Sequence, residues 1–506
     1  MAVNHLFDRL TAAALPDKPF IITEDGRQIT YASATAAAGQ YAHALQQLGV
    51  TPGDRVVVQV GKSIEALLLY LACLRAGAVL VPLNTAYTES ELAYFIGDAE
   101  PSVVVCDPTA LVQVTPIAHG ISPPAQVVTL DSNGAGTLHD LAGRAADRFE
   151  NVARNDDDMA AILYTSGTTG RSKGAMITHQ NLASNAASLV DCWSISGEDV
   201  LLHALPVFHT HGLFVATNTL MMAGGSILFM PKFDADMAIR LLPSATMMMG
   251  VPTFYTRLLA NAEFNADLVR HMRLFVSGSA PLSAETHRVF SARTDHAILE
   301  RYGMTETNMI TSNPYTGDRR AGTVGFSLPD VEVRIANPET GAALNDGDIG
   351  VIEVRGPNVF PGYWHMPEKT AEEFRDDGFF ITGDMALIDD RGYVNIVGRA
   401  KDLIISGGFN VYPAEVEAAI DEIDGVAECA VIGVPHLDFG EGVTAVVTAK
   451  NEGAISEDAI VGSLTGRLAK FKIPKRVIIV DTLPRNAMGK IQKNALRETY
   501  QGLYSG

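Results

Sequence analysis

The chain has 506 residues, 47% of them hydrophobic and 19% charged, which at ~100–200 residues per domain is enough for several domains, each with its own core. Against 58 Asp and Glu stand only 38 Lys and Arg, for a formal charge of −20. That excludes nucleic acid as a general partner, because such affinity comes mainly from Lys and Arg neutralising phosphates; it leaves room for one small anionic ligand held by a local group of cations.

The N-terminal segment MAVNHLFDRLTAAAL lacks a basic start followed by an apolar run, which reads as a cytoplasmic rather than a secreted chain. Cys73, Cys106, Cys192 and Cys429 have no CxxC spacing and read as small core residues of a reducing compartment. Residues 34–48 and 65–75 have helical apolar spacing, stopped by Gly49 and Gly77. Short apolar runs at 79–83, 102–106, 127–130, 226–230, 246–249 and 274–277 read as strands buried on both faces, which implies parallel sheets with helical crossovers. From Val200 to Pro231 there is no Asp, Glu, Lys or Arg, a length that could span a bilayer. His203, His209, His211, Pro206, Gly212, Gly224 and Gly225 break it into a strand, a short helix at 213–222 and a second strand, so it reads as buried core with no membrane span.

From Gly322 the pieces become shorter and β-rich (VEVRIA, GVIEVRG, YVNIVG). Beyond Lys401 lies a smaller unit with apolar runs at 430–434 and 443–449 and a helix at 414–423 behind Pro413. The expected fold is α/β: a large N-terminal domain, 1–399, of parallel-sheet α/β subdomains plus a small β-rich subdomain, then a small α+β C-terminal domain, 400–506. Between Arg467 and Arg497 the second unit carries nine cations against one acid, Asp481. The cations missing from the rest of the chain are concentrated there.

The segment TSGTTGRSKG at 165–174 follows an apolar strand. Its glycines let the backbone approach a ligand closely, while its hydroxyls, free N–H groups and two cations suit a polyphosphate. It is not a Walker A loop, because Lys173 stands between Ser172 and Gly174 rather than between Gly and Ser/Thr. Five further segments follow in order: SGSAPL at 277–282, RYGMTET at 301–307, ITGD at 381–384, GRAKDLIISGGFNVYPAEVE at 398–417 and PRNAMGKI at 484–491. The set, spread over nearly the whole chain, resembles the motifs of the acyl-adenylate-forming superfamily of acyl-CoA synthetases, adenylation domains and luciferases.

The resemblance implies an acid–thiol ligase that first joins a carboxylate to the α-phosphorus of ATP, releasing pyrophosphate, and then lets the thiol of coenzyme A displace AMP. Charge builds on phosphate oxygens in the first step, so catalysis is mostly positioning and cationic stabilisation. By the same resemblance Thr165, Ser166, Gly167, Thr168, Thr169 and Lys173 hold the β- and γ-phosphates, Thr305 meets the α-phosphate and Glu306 holds Mg²⁺, a hard cation suited to carboxylate and phosphate. Tyr302 stacks on adenine against the backbone of Gly278, Ser279, Ala280 and Pro281; Asp384 takes the ribose hydroxyls with Arg399 alongside. Lys490 bridges the attacking carboxylate and the α-phosphate. A mobile C-terminal domain turning about Lys401 would exchange Lys490 for Gly407, Gly408 and Phe409, which line the CoA channel. The context of Lys490 also resembles a site modified by a lysine acetyltransferase, which would remove the charge that the first step needs.

The acid is suggested by Arg301, a guanidinium costly to bury without a partner, and by His209 and His211 in PVFHTHG. Arg301 could instead pair with Glu300 or another acid, and either histidine could be a packed core residue. ERYGMTET and PVFHTHG are similar to the corresponding blocks of malonyl-CoA synthetases, which implies malonate, with methylmalonate as a second substrate because one methyl changes selectivity by only ~1–3 kcal/mol. A medium-chain or aryl acid-CoA ligase, an adenylation domain, a luciferase-type oxidase and a non-catalytic nucleotide-binding regulator stay open at this point.

Overall fold

A computed structural model describes residues 3–165, 172–451, 453–486 and 489–504. Ser166, Gly167, Thr168 and Thr169 lie outside these residues. The architecture is the expected α/β one. The valine-rich runs form a six-stranded sheet in the order Gln126–Thr129, Val103–Cys106, Arg55–Gln59, Val79–Pro82, Met159–Thr165 and Lys173–Thr178. Neighbours are parallel except the last pair, an antiparallel hairpin in which Thr165 lies opposite Lys173. A second sheet of nine strands has a parallel centre containing Val200–His203, Ser226–Phe229, Met247–Gly250, Leu274–Ser277 and Leu299–Met304. In open sheets of this kind ligands gather at the carboxyl ends of the strands. Here those ends carry Thr165, His203, Ser277 and Met304.

Helix Tyr31–Gln47 starts earlier than its apolar spacing suggests because Thr30 caps it, its hydroxyl accepting from the Ser33 amide. The uncharged stretch resolves into Val200–His203, a π-helix His211–Asn218, helix Thr219–Ala223 and Ser226–Phe229. It opens as a π-turn where Gly212 presses on the preceding loop: a Cβ there would stand 2.0 Å from the Pro206 carbonyl oxygen. Among the described residues no helix is long and apolar enough to cross a membrane. Cys73, Cys106 and Cys429 are buried and Cys192 half-buried, all as free thiols.

Glu332–Ala336, Gly350–Arg355, Phe380–Ile388 and Val394–Arg399 form an antiparallel four-stranded sheet. A 3₁₀ turn, Ala400–Asp402, leads from it to the C-terminal sheet, whose long hairpin Val426–His436 and Gly440–Ala449 is flanked by Ile404–Ser406, Phe409–Val411 and Arg476–Ile479. This sheet has a core of its own around Val416, Ile420, Val431, Val443, Ala445, Val447 and Ile460.

Six of the nine cations between Arg467 and Arg497 are ion-paired: Arg467 with Glu422, Lys472 with Glu415, Arg476 with Glu457, Arg485 with Glu428, Lys493 with Glu417 and Arg497 with Asp402. The cationic lobe of the sequence is therefore largely neutralised in the fold. Lys490 is one of the three left without a carboxylate at ion-pair distance among the described residues.

Candidate active site

Strand Leu299–Met304 alternates its side chains between two faces, as a strand must. Glu300 points one way, accepts the Gly322 amide at 3.1 Å and is pushed up to about 8 by burial. Arg301 points the other way, so the pairing of the two left open by the sequence does not form. Its guanidinium packs on the bare Cα of Gly278, where a Cβ would stand 2.2 Å from Cζ. Arg301 is 5% exposed, and its Nε and Nη2 have no hydrogen-bond partner. Burial pulls its pKa down to about 9, well below the ordinary arginine range, which leaves it charged at neutral pH.

The same face holds the two histidines. His211 is buried, with Nδ1 3.1 Å from the Ser279 hydroxyl and Nε2 unpartnered; Ser279 itself has φ +70°. His209 has an unpartnered Nδ1 and is lowered to about 4, first by burial and then by the charges of Arg301 and Lys490. Both are neutral at pH 7, so Arg301 is the cation of this group. Ala280 is half-buried beside Ser279.

One residue further along the strand, the Tyr302 hydroxyl donates to Asp384 Oδ2 at 2.6 Å. Asp384 Oδ1 lies 3.1 Å from Arg399 Nε, and the two residues are register partners on adjacent strands. Lys490 enters this cluster from the C-terminal unit. Burial lowers it from 10.5 to about 8, with Arg399 and Lys401 adding to the fall and Asp384 and Asp402 opposing it. Its backbone is held by Asn486 Oδ1, which accepts the Lys490 amide at 3.0 Å.

Thr305 is half-buried on the turn after the strand, and Glu306 is 4% exposed. Gly303 permits that turn: a Cβ there would stand 1.9 Å from the Asn308 carbonyl oxygen. Glu306 Oε1 lies 3.4 Å from the Thr165 hydroxyl and accepts from the Tyr363 hydroxyl at 3.1 Å, while burial raises its pKa. Such a carboxylate favours a cation beside it. Among the described residues no group of three or more His, Cys, Asp or Glu could enclose a metal. The one buried carboxylate, Glu306, is of the kind that can hold a hard cation such as Mg²⁺.

Lys173 Nζ is 2.7 Å from Glu373 Oε1 and 4.1 Å from the centre of the Tyr363 ring, and the Tyr363 hydroxyl also reaches Glu373 Oε2 at 2.9 Å. Glu373 and Tyr363 had no signal in the sequence. Neither did Lys62, whose ammonium meets His203. These residues come from segments without motif spacing and meet only in the folded chain.

Gly407, Gly408 and Phe409 are not brought to this cluster. The glycines have φ of +61° and +81° in the turn between two short strands, and Phe409 is 55% exposed, stacked on Phe471 with ring centres 4.6 Å apart.

Residues 9–364 match the AMP-binding enzyme family and residues 415–490 match the AMP-binding enzyme C-terminal domain. The chain belongs to the AMP-binding enzyme family. It is similar to ATP-bound MatB from Rhodopseudomonas palustris, with 59% identity, a TM-score of 0.97 and 100% of each chain covered. It is 33% identical to a malonate–CoA ligase of Arabidopsis thaliana, over 98% of this chain and 85% of that protein. It is also 35% identical to a feruloyl-CoA synthase of an Amycolatopsis species, over 95% of each.

Proposed function

We propose that the chain is an ATP-dependent, AMP-forming acid–CoA ligase that converts malonate to malonyl-CoA through a malonyl-adenylate, with methylmalonate as a second substrate. The observation that carries the choice of acid is Arg301: a buried, charged guanidinium with two unpartnered donors and no carboxylate at ion-pair distance among the described residues. A second carboxylate on the substrate supplies the missing partner, and the neutral His209 and His211 offer ring nitrogens beside it. An aryl or medium-chain acid would leave the guanidinium unpaired. The malonate–CoA ligase of Arabidopsis thaliana supports the same reading.

In this reading Thr165 and Lys173 hold the terminal phosphates together with Ser166, Gly167, Thr168 and Thr169. Tyr302, Ser279 and Ala280 frame the adenine, and Asp384 with Arg399 takes the ribose. The Tyr302 hydroxyl uses one oxygen of Asp384 and Arg399 the other, so the carboxylate is held still before the nucleotide arrives. Lys490 stands where the attacking carboxylate meets the α-phosphate, and Thr305 contacts that phosphate. Mg²⁺, held by Glu306, neutralises phosphate charge when bound. Residues 1–399 and 400–506 act as two bodies hinged at Lys401, the second turning to bring Gly407, Gly408 and Phe409 to coenzyme A. The protein works in the cytoplasm, and a lysine acetyltransferase acting on Lys490 would silence the first step by removing its charge.

The test is AMP release with ATP and CoA across a series of mono- and dicarboxylic acids. Malonate is expected to give the highest kcat/KM. A monocarboxylate or an aryl acid exceeding it would overturn the assignment.

A further inference from the structure

Lys62 lies between the strand Arg55–Gln59 of the first sheet and the helix Ile64–Ala76. Its Nζ reaches His203 Nδ1 at 2.9 Å, the His203 carbonyl oxygen at 2.7 Å and the Met230 carbonyl oxygen at 2.7 Å, where His203 ends one strand of the second sheet and Met230 directly follows its neighbour, Ser226–Phe229. The other ring nitrogen of His203, Nε2, faces the Gly212 carbonyl oxygen at 2.9 Å. A carbonyl only accepts, so Nε2 carries the proton; in the neutral ring Nδ1 is then bare and accepts. Burial holds His203 at about 3, so the ring is neutral. Three acceptors therefore converge on Lys62, an arrangement that suits the three N–H bonds of an ammonium, while burial pulls its pKa well below the ordinary lysine range. No carboxylate lies at ion-pair distance from it among the described residues.

The chain of contacts ends on the turn that bears the two histidines. The Gly212 carbonyl also accepts the Thr217 hydroxyl at 3.0 Å, and Gly212 follows His211 directly. This turn is itself buried at Thr210, His211 and Gly212. A cavity of about 20 Å³, lined by Val58, Val60, Tyr70, Val207, Phe208 and Leu213, separates it from the first sheet. We infer that Lys62 is a positioning residue for the substrate's second carboxylate: through His203 and the Gly212 carbonyl it fixes the 209–212 turn opposite Arg301. This rests on the dicarboxylate reading above and goes further by assigning selectivity to a residue that does not touch the substrate.

The experiment compares Lys62→Met and His203→Gln with the unaltered protein, measuring kcat and KM for malonate, propionate and ATP. If the inference holds, both variants lose at least ten-fold in the malonate-to-propionate ratio of kcat/KM, mainly through the KM for malonate, while the KM for ATP moves less than two-fold. Lys62→Gln, which keeps two donors, carries the same measurement if the methionine variant is insoluble. Equal losses for malonate and propionate would make Lys62 a staple between two sheets and overturn the inference; so would an unchanged ratio. Failure of the unaltered protein to use malonate would instead overturn the dicarboxylate reading, and the inference with it.

Discussion

Arg301 should make the protein less stable and more selective at once. Burial holds its folded pKa at about 9, far below the ordinary arginine range, so keeping the charge in that site costs stability. The value is depressed for a base, so this cost is fully present below about pH 9 and is relieved only as pH rises above it. Arg301→Met removes the charge and keeps most of the length, but loses the flat contact with Gly278. A net gain of ~1–3 kcal/mol is expected, or about 2–6 °C in Tm at the scaling for large domains. The same variant strips the substrate's second carboxylate of its charged partner, for a loss of ~2–4 kcal/mol, roughly 30- to 1,000-fold in kcat/KM for malonate. Scanning fluorimetry without ligand gives the first quantity and initial rates of AMP release give the second. A fall in Tm together with an unchanged malonate-to-propionate ratio would refute the reasoning, because it would place the partner of Arg301 within the protein.

Lys490→Ala should abolish malonate-dependent ATP–pyrophosphate exchange yet still convert presynthesised malonyl-AMP and CoA to product; loss of both half-reactions would count against its role. Because Lys490 is lowered to about 8, adenylation in the free protein should decline as pH rises through about 8, a titration that is absent from the thioester-forming step. Glu306→Gln should raise the Mg²⁺ concentration for half-maximal adenylation at least ten-fold, as a magnesium titration at fixed ATP would show. Asp421 is pushed up to about 7 by burial beside Cys429. Its folded state holds a proton that the unfolded chain releases, so stability should fall as pH rises from about 4 to 7 and be lower at pH 8 than at pH 5. Asp421→Asn should flatten that slope in thermal melts.

The strands and the order of motifs were legible because each rests on local pattern: valine runs for parallel strands, glycines with hydroxyls for the phosphate loop. What could be read of Arg301 was its type and its neighbours, not its partner. The alternation along Leu299–Met304 already separates it from Glu300, but only the fold places Gly278 beneath it and leaves its donors open. The nine cations near the C-terminus were legible as charge and misleading as surface, since six of them pair with acids from other segments of the chain. Lys62, Glu373 and Tyr363 could not be seen at all. Each meets its partner across more than a hundred residues or through a tyrosine hydroxyl, with no spacing to reveal it.

The short strand Leu299–Met304 has a consequence for how this protein could change. Arg301 and Tyr302 are consecutive, and Glu306 follows within the same tight turn, so in the proposed reading one rigid mount would serve the acid, the nucleotide and the metal. A replacement at 301 that shifts this backbone by a fraction of an ångström is felt by Tyr302 and its bond to Asp384. Acid preference and nucleotide affinity are therefore difficult to vary independently from this strand. The 209–212 turn sits on a separate element, next to a small void. It is the more evolvable wall, and new substrate ranges are expected to accumulate substitutions there before they reach position 301.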